Sequence, residues 1–146
     1  MYNFEYEKPK TLEEVEKILN ENEESKILAG GQTLIPTMKQ RLASPSTLID
    51  ISDINELNFI NDNGDTITIG ATTTHNEVLS SEIVQSKIPS LAALAEGIGD
   101  PHVRNMGTIG GSISNNDPTA DYPCACLSLK AKIKTNKKEI SAEDFF

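Results

Sequence analysis

Apolar residues recur along this chain with a helical period in some stretches and with strict alternation in others. After Thr11-Leu12-Glu13-Glu14, Leu12, Val15, Ile18 and Leu19 fall on one helical face. The hydroxyl followed three residues later by glutamate has the form of a capping box. Residues 3–6 and 26–28 read as short strands on either side of this helix. Over residues 33–41, Leu34, Ile35, Met38 and Leu42 predict an amphipathic helix. Pro36 lies in its first turn, where a missing N–H does no harm. Leu48, Ile49 and Ile51 then predict another strand. Residues 1–55 therefore have the pattern of a βαβ-like unit.

The pattern changes after residue 56. Two runs, 58–60 and 66–69, flank Asn63-Gly64, a strong hairpin signal. Ile67 and Ile69 alternate with threonine, as in a half-buried strand. Thr74-His75-Asn76-Glu77 is a second capping box. Pro89 opens a helix with Leu91, Leu94, Ala95 and Ile98 inward, and Gly97 and Gly99 loosen its end. A helix over 120–129 follows, then a strand over 130–135. There Ala131, Ile133 and Thr135 alternate with Lys130, Lys132 and Lys134, as in an edge strand guarded by lysines. Residues 136–138 make a turn and 139–141 a return strand. The class is α+β, with a second subdomain over 56–146.

Composition narrows the partners. The chain has 146 residues, 37% hydrophobic and 24% charged, with a net charge of −9. That is one domain of ordinary globular composition. Acidity disfavours nucleic acid and anionic membrane surfaces as partners. The apolar runs are too short to span a bilayer. The first residues show no basic and then apolar leader. Cys124 and Cys126 lie too close together to staple the fold, which fits a reduced, cytoplasmic setting.

Two glycine-rich stretches carry the candidate chemistry. Ala29-Gly30-Gly31-Gln32-Thr33-Leu34 sits between a strand and a helix, an arrangement that presents N–H donors to phosphate. It is neither a Rossmann fingerprint nor a P-loop. Residues 104–121 place Gly107, Gly110 and Gly111 beside Ile109 and Ile113, as in a strand interrupted by close approach of a ligand or of another backbone. A plain tight turn is the alternative. Together the two stretches point to a ligand that carries phosphates.

Other polar residues point less directly. His75 fits a surface or capping role, and His102 lies just before the second glycine stretch. Two distant histidines do not suggest a zinc site. Cys124-Ala125-Cys126 lacks C-x-x-C spacing, and on a helix the two thiols would not share a face, so both read as small core residues. Arg104 is placed for a phosphate, a partner carboxylate or a structural salt bridge. Asp117 and Asp121 are positioned to cap the helix after Pro118.

The two glycine stretches, with Thr47-Leu48-Ile49-Asp50-Ile51, Ile69-Gly70-Ala71 and the segment from Asp117 to Asp121, resemble the FAD-binding medium subunit of molybdenum hydroxylases. That family includes flavoproteins of xanthine dehydrogenase, carbon monoxide dehydrogenase and nicotinate dehydrogenase. The resemblance covers nearly the whole chain. It implies a two-subdomain FAD-binding fold of the vanillyl-alcohol oxidase and p-cresol methylhydroxylase type, with the flavin between residues 1–55 and 56–146. Ala29, Gly30, Gly31, Gln32, Thr33 and Leu34 would wrap the FAD pyrophosphate. Thr108, Ile109, Gly110, Gly111 and Ser112 would form a second wall, and Asp121 would lie near the flavin or its ribityl chain. Serine at 112, where relatives often carry asparagine, shortens that reach. The first turn has no histidine or cysteine, so the FAD is expected to be non-covalent.

The resemblance further implies an oxidoreductase subunit inactive on substrate by itself. It would take electrons from [2Fe-2S] clusters on a small partner subunit and pass them to NAD or another acceptor. A large partner subunit would hold the molybdenum cofactor. No cluster is expected in this chain, which lacks the inserted cysteine-rich loop of some relatives. Relatives continue past the position of Phe145-Phe146, so the second subdomain is expected to be incomplete here. A free-standing flavin reductase or oxidase of the same fold, such as the enolpyruvyl reductase of cell-wall synthesis, and a flavin-free remnant are the alternatives.

Overall fold

A computed structural model describes residues 1–146. The first half is built on three parallel strands. β1 (Glu5–Glu7) and β2 (Lys26–Leu28) both pair with β3 (Thr47–Asp50), giving the order β1-β3-β2. β3 is buried along its whole length, as the central strand of a parallel sheet must be. Helix α1 (Leu12–Glu21) crosses between β1 and β2. The Thr11 hydroxyl accepts from the Glu14 N–H at 3.2 Å, which caps it. The Glu14 carboxylate turns instead to the Lys10 N–H at 2.7 Å, so the expected box is half formed. Val15 packs with Ile49, Ile51 and Ile54 in a first core.

Helix α2 (Leu34–Lys39) connects β2 to β3 and buries Met38. It is shorter than its apolar pattern predicts. Arg41 has φ 62°, a left-handed conformation that turns the chain away. Leu42 consequently lies 75% exposed instead of on the buried face.

The second half is mainly helical. A 3-10 turn at Asn55–Leu57 leads into the hairpin of β4 (Ile60–Asp62) and β5 (Ile67–Ile69), joined where expected. Gly64 at its tip has φ 87°. Helices α3 (His75–Ser80), α4 (Glu82–Lys87), α5 (Pro89–Gly97), α6 (Pro101–Met106), α7 (Ile109–Asn115) and α8 (Asp121–Ser128) follow. The Thr74 hydroxyl accepts from the Glu77 N–H at 3.2 Å, and the Glu77 carboxylate accepts from the Thr74 N–H at 2.7 Å, so this capping box is complete. Val78, Val84, Leu91, Ala92, Ala95 and Tyr122 form the second core. β6 (Lys132–Lys134) and β7 (Glu139–Ser141) make a lysine-lined hairpin before α9 (Ala142–Phe145). No helix is long and apolar enough to cross a membrane.

Several sequence expectations need correction. The second glycine stretch is no strand: Thr108 caps α7, whose Ile109 and Ile113 pack side by side against the second core. α4 and α6 have no counterpart in the sequence pattern. Neither aspartate caps α8, because Ala120 holds that position without a side-chain bond and Asp117 accepts from Thr119. Cys126 is buried and Cys124 exposed, so only the former is a core residue.

Candidate functional site

The two glycine stretches meet. A Cβ on Gly30 would stand 1.9 Å from the carbonyl oxygen of Met106 and 2.8 Å from Cα of Gly107. Only a glycine permits backbone to approach backbone this closely. Gly31 has φ 68°, which lets the chain turn sharply from β2 into α2. The Gln32 amide donates to the Gly30 carbonyl at 3.1 Å and braces the turn.

The two stretches differ in what their backbone donors do. In the second, every N–H from Ile109 to Ser112 is already engaged. Ile109 N–H donates to Thr73 at 3.0 Å, Gly110 to Ala71 at 2.9 Å, Gly111 to the Thr108 hydroxyl at 3.1 Å and Ser112 to the Thr108 carbonyl at 3.0 Å. With His75 N–H donating to Gly107 at 3.0 Å, these bonds sew residues 107–110 to residues 71–75. A Cβ on Gly110 would meet Ala71 at 2.5 Å, so this glycine serves the seam. In the first stretch, none of the N–H groups of residues 29–34 donates to any oxygen of the chain. Such a row of unused donors at a strand-to-helix turn has the form of an anion cradle.

The cradle opens into a hollow of about 400 Å³ lined by residues 28–32, Ile35, Pro36, Lys39, Asp50, Ser52 and Met106. It lies at the carboxyl ends of β2 and β3, the edge of a parallel sheet where ligands bind. Lys39 adds a positive charge. Asp50, largely buried, is tied down by the Tyr6 hydroxyl and by the Ser52 N–H at 2.9 Å, with Lys8 at 3.8 Å. Burial alone would raise its carboxyl, but those hydrogen bonds and Lys8 hold it below the ordinary range. In the sequence Asp50 stands only as part of Thr47-Leu48-Ile49-Asp50-Ile51, with no site role. Its signal was an acid closing an otherwise apolar strand.

Asp121 is not part of this hollow. It lines a separate one of about 270 Å³ with Ser90, Leu91, Leu94 and residues of α8. Arg104 donates to the Ile98 carbonyl and forms no salt bridge. His102 is exposed, while His75, expected at the surface, is buried and stacked on Tyr122. No group of His, Cys, Asp or Glu is placed to hold a metal ion.

Residues 2–146 match the model of the FAD binding domain in molybdopterin dehydrogenase. The chain belongs to this family. It is similar to the glyceraldehyde dehydrogenase medium chain of Sulfolobus acidocaldarius, 42% identical over 98% of this chain and 52% of the relative. The carbon monoxide dehydrogenase medium chain of Hydrogenophaga pseudoflava is also 42% identical, over the same shares. Among solved structures, carbon monoxide dehydrogenase from Hydrogenophaga pseudoflava superposes with a TM-score of 0.93 at 41% identity, over 97% of this chain and 51% of that one. Quinoline 2-oxidoreductase from Pseudomonas putida 86 gives 0.93 at 30% identity, over 99% and 54%. This chain spans about half the length of the curated relatives it matches.

The FAD-binding family gives the cradle a chemical counterpart. A dinucleotide cofactor carries a diphosphate, and the donor set at residues 29–34 with Lys39 fits a diphosphate. The same turn contains no histidine or cysteine.

Proposed function

We propose that this chain binds FAD non-covalently, with the diphosphate on the N–H groups of residues 29–34, as the flavin-bearing part of a molybdenum-dependent hydroxylase. The observation that carries the reading is the row of unused donors beside Lys39, in a chain whose net charge of −9 otherwise repels anions. Backbone donors hold a diphosphate without adding mobile charge, and the tight packing of Gly30 on Met106 keeps them fixed. Thr108, Ile109, Gly110, Gly111 and Ser112 form the second wall, the last four through their surface, since the N–H groups of Ile109 to Ser112 are taken. We assign Asp121 to the flavin end of the ligand, from its separate hollow beside α8. The flavin sits between subdomains 1–55 and 56–146, in the manner of the vanillyl-alcohol oxidase type; the two separate cores support that division.

FAD, when bound, supplies the redox chemistry. The chain's residues hold and orient it. In the complete assembly, electrons pass from [2Fe-2S] clusters of a small subunit to this cofactor and on to NAD or another acceptor. A large subunit with the molybdenum cofactor oxidises the substrate. The complex works in a reduced, cytoplasmic compartment.

The test is titration of FAD into the purified 146-residue chain, followed by flavin fluorescence, then acid precipitation. Saturable binding with all flavin left in the supernatant is expected. No binding at any FAD concentration would overturn the reading, and flavin in the pellet would overturn its non-covalent form.

A further inference from the structure

The second core holds three buried polar atoms without a hydrogen-bond partner: Thr72 Oγ1, His75 Nδ1 and Tyr122 OH. Two of them belong to a stacked pair, with the His75 and Tyr122 ring centroids 5.2 Å apart and the planes 24° from parallel. His75 also touches the second glycine stretch twice. Its N–H donates to the Gly107 carbonyl at 3.0 Å, and its Nε2 would stand 2.7 Å from a Cβ on Gly107. The Gly107 carbonyl belongs to the following peptide; the preceding one begins at the Met106 carbonyl, which presses on Gly30. The peptide joining Met106 to Gly107 thus has the first glycine turn at its carbonyl end and the imidazole beside the Gly107 Cα at its other end.

We propose that His75 is a positioning residue for the anion cradle: its uncharged, stacked ring seats that peptide against Gly30 and so fixes the wall of the hollow beside the unused donors of residues 29–34. The inference rests on the reading that this hollow takes the FAD diphosphate.

A histidine that merely filled core volume would leave the Gly30 and Gly31 amides still when its ring takes up a proton. A seat made by a neutral imidazole has a further property, because a proton would place charge where nothing can receive it. The charged or titratable residues of the helices packed on α3 are Glu82, Lys87, Glu96, His102 and Arg104, and Tyr122 with Asp121 comes from α8. Burial alone moves the imidazole below its ordinary value near 6.5, and none of those groups contributes. The folded, seated form therefore takes up its proton less readily than the unfolded chain. Its support is complete above about pH 6.5 and is lost as the pH falls below that value.

The experiment follows FAD affinity and amide chemical shifts of the chain and of His75→Phe between about pH 7.5 and about pH 5.5. In the parent, FAD affinity is expected to be constant above about pH 6.5 and to be lost progressively as the pH falls below it. The amides of Gly30, Gly31 and Gly107 should move with the midpoint of the His75 ring. In His75→Phe, which keeps a stacked ring and cannot take up a proton, affinity and amides should stay flat. The proposal is overturned if the His75 ring titrates while the Gly30 and Gly31 amides stay still. It is overturned equally if His75→Phe loses FAD with the same pH dependence as the parent. A parent that binds no FAD at about pH 7.5 sinks the cofactor reading, and its amide titration still decides the role of His75. Should His75→Phe not fold, the parent's amides decide it in the same way.

Discussion

The carbonyl oxygen of Met106 occupies the space that a side chain on Gly30 would need, at 1.9 Å from its Cβ position. Two segments separated by about half the chain therefore touch through backbone alone. Gly30→Ala has to push them apart, since a backbone carbonyl cannot swing aside as a side-chain tip can. The expected cost is near the upper end of the usual range for overpacking, about 3 kcal/mol. A urea denaturation midpoint unchanged from the parent would show that the contact is dispensable. FAD affinity is expected to fall with it.

Lys39 lines the hollow from the exposed last turn of α2. Lys39→Gln should lower FAD affinity by about tenfold at low salt, a difference of about 1.4 kcal/mol. The gap should narrow as added salt screens the charge. Thermal stability should stay within experimental error of the parent. Equal affinity for FAD in the two proteins would place the diphosphate elsewhere.

The capping box of α3 carries an acid dependence. Burial favours the protonated form of Glu77, but hydrogen bonds from the Thr74 N–H, the Thr74 hydroxyl and Asn58 outweigh it and lower its pKa. The folded chain thus holds the carboxylate more strongly than the unfolded chain does. The resulting stabilisation is present above the ordinary carboxyl value near 4.5 and is lost as pH falls through the folded value. Glu77→Gln should be less stable than the parent at about pH 7, and the gap should close on acidification to about pH 3. A gap constant over that range would contradict the linkage. Thr74→Ala should cost about 1 kcal/mol through the lost cap.

The two cysteines should behave differently towards alkylation. Cys124 is exposed on α8, and Cys126 is buried with its thiol pushed up by burial. A maleimide should label Cys124 in the native protein within minutes and Cys126 only after denaturation. Peptide mass mapping reads the order directly. Simultaneous labelling of both would mean that α8 is not packed on the second core.

What the sequence disclosed followed from local chemistry. The β4–β5 hairpin was legible because a glycine stands at its tip between two alternating runs; the turn pair is Gly64-Asp65, flanked by the Asn63 N–H donating to the Thr66 carbonyl, with Gly64 at φ 87°. The Thr74 box was legible because its two bonds join residues three apart. The helix at α7 was obscured by β-branched residues and glycines, although Ile109 and Ile113 stand at helical spacing. Glycine flexibility suggested ligand contact at both stretches, yet at Gly110 it accommodates Ala71 and at Gly30 it accommodates Met106. Such contacts join residues far apart in sequence and leave no periodic trace. The inward turn of His75 depends on Tyr122, 47 positions later by the numbering, and was invisible for the same reason.

The strand order β1-β3-β2 also sets a timetable for synthesis. Both edge strands leave the ribosome before the strand that joins them, and neither pairs with the other. β1 and β2 stay without partners until residues 47–50 emerge. At about 5–20 residues per second, the wait for β1 lasts several seconds. Their charged sequences, Glu-Tyr-Glu in β1 and a leading lysine in β2, keep the nascent segments from pairing with other chains during that interval. The glycine turn after β2 is made early but acquires its shape late, once β3 has fixed the strand before it and Met106 has arrived to close it.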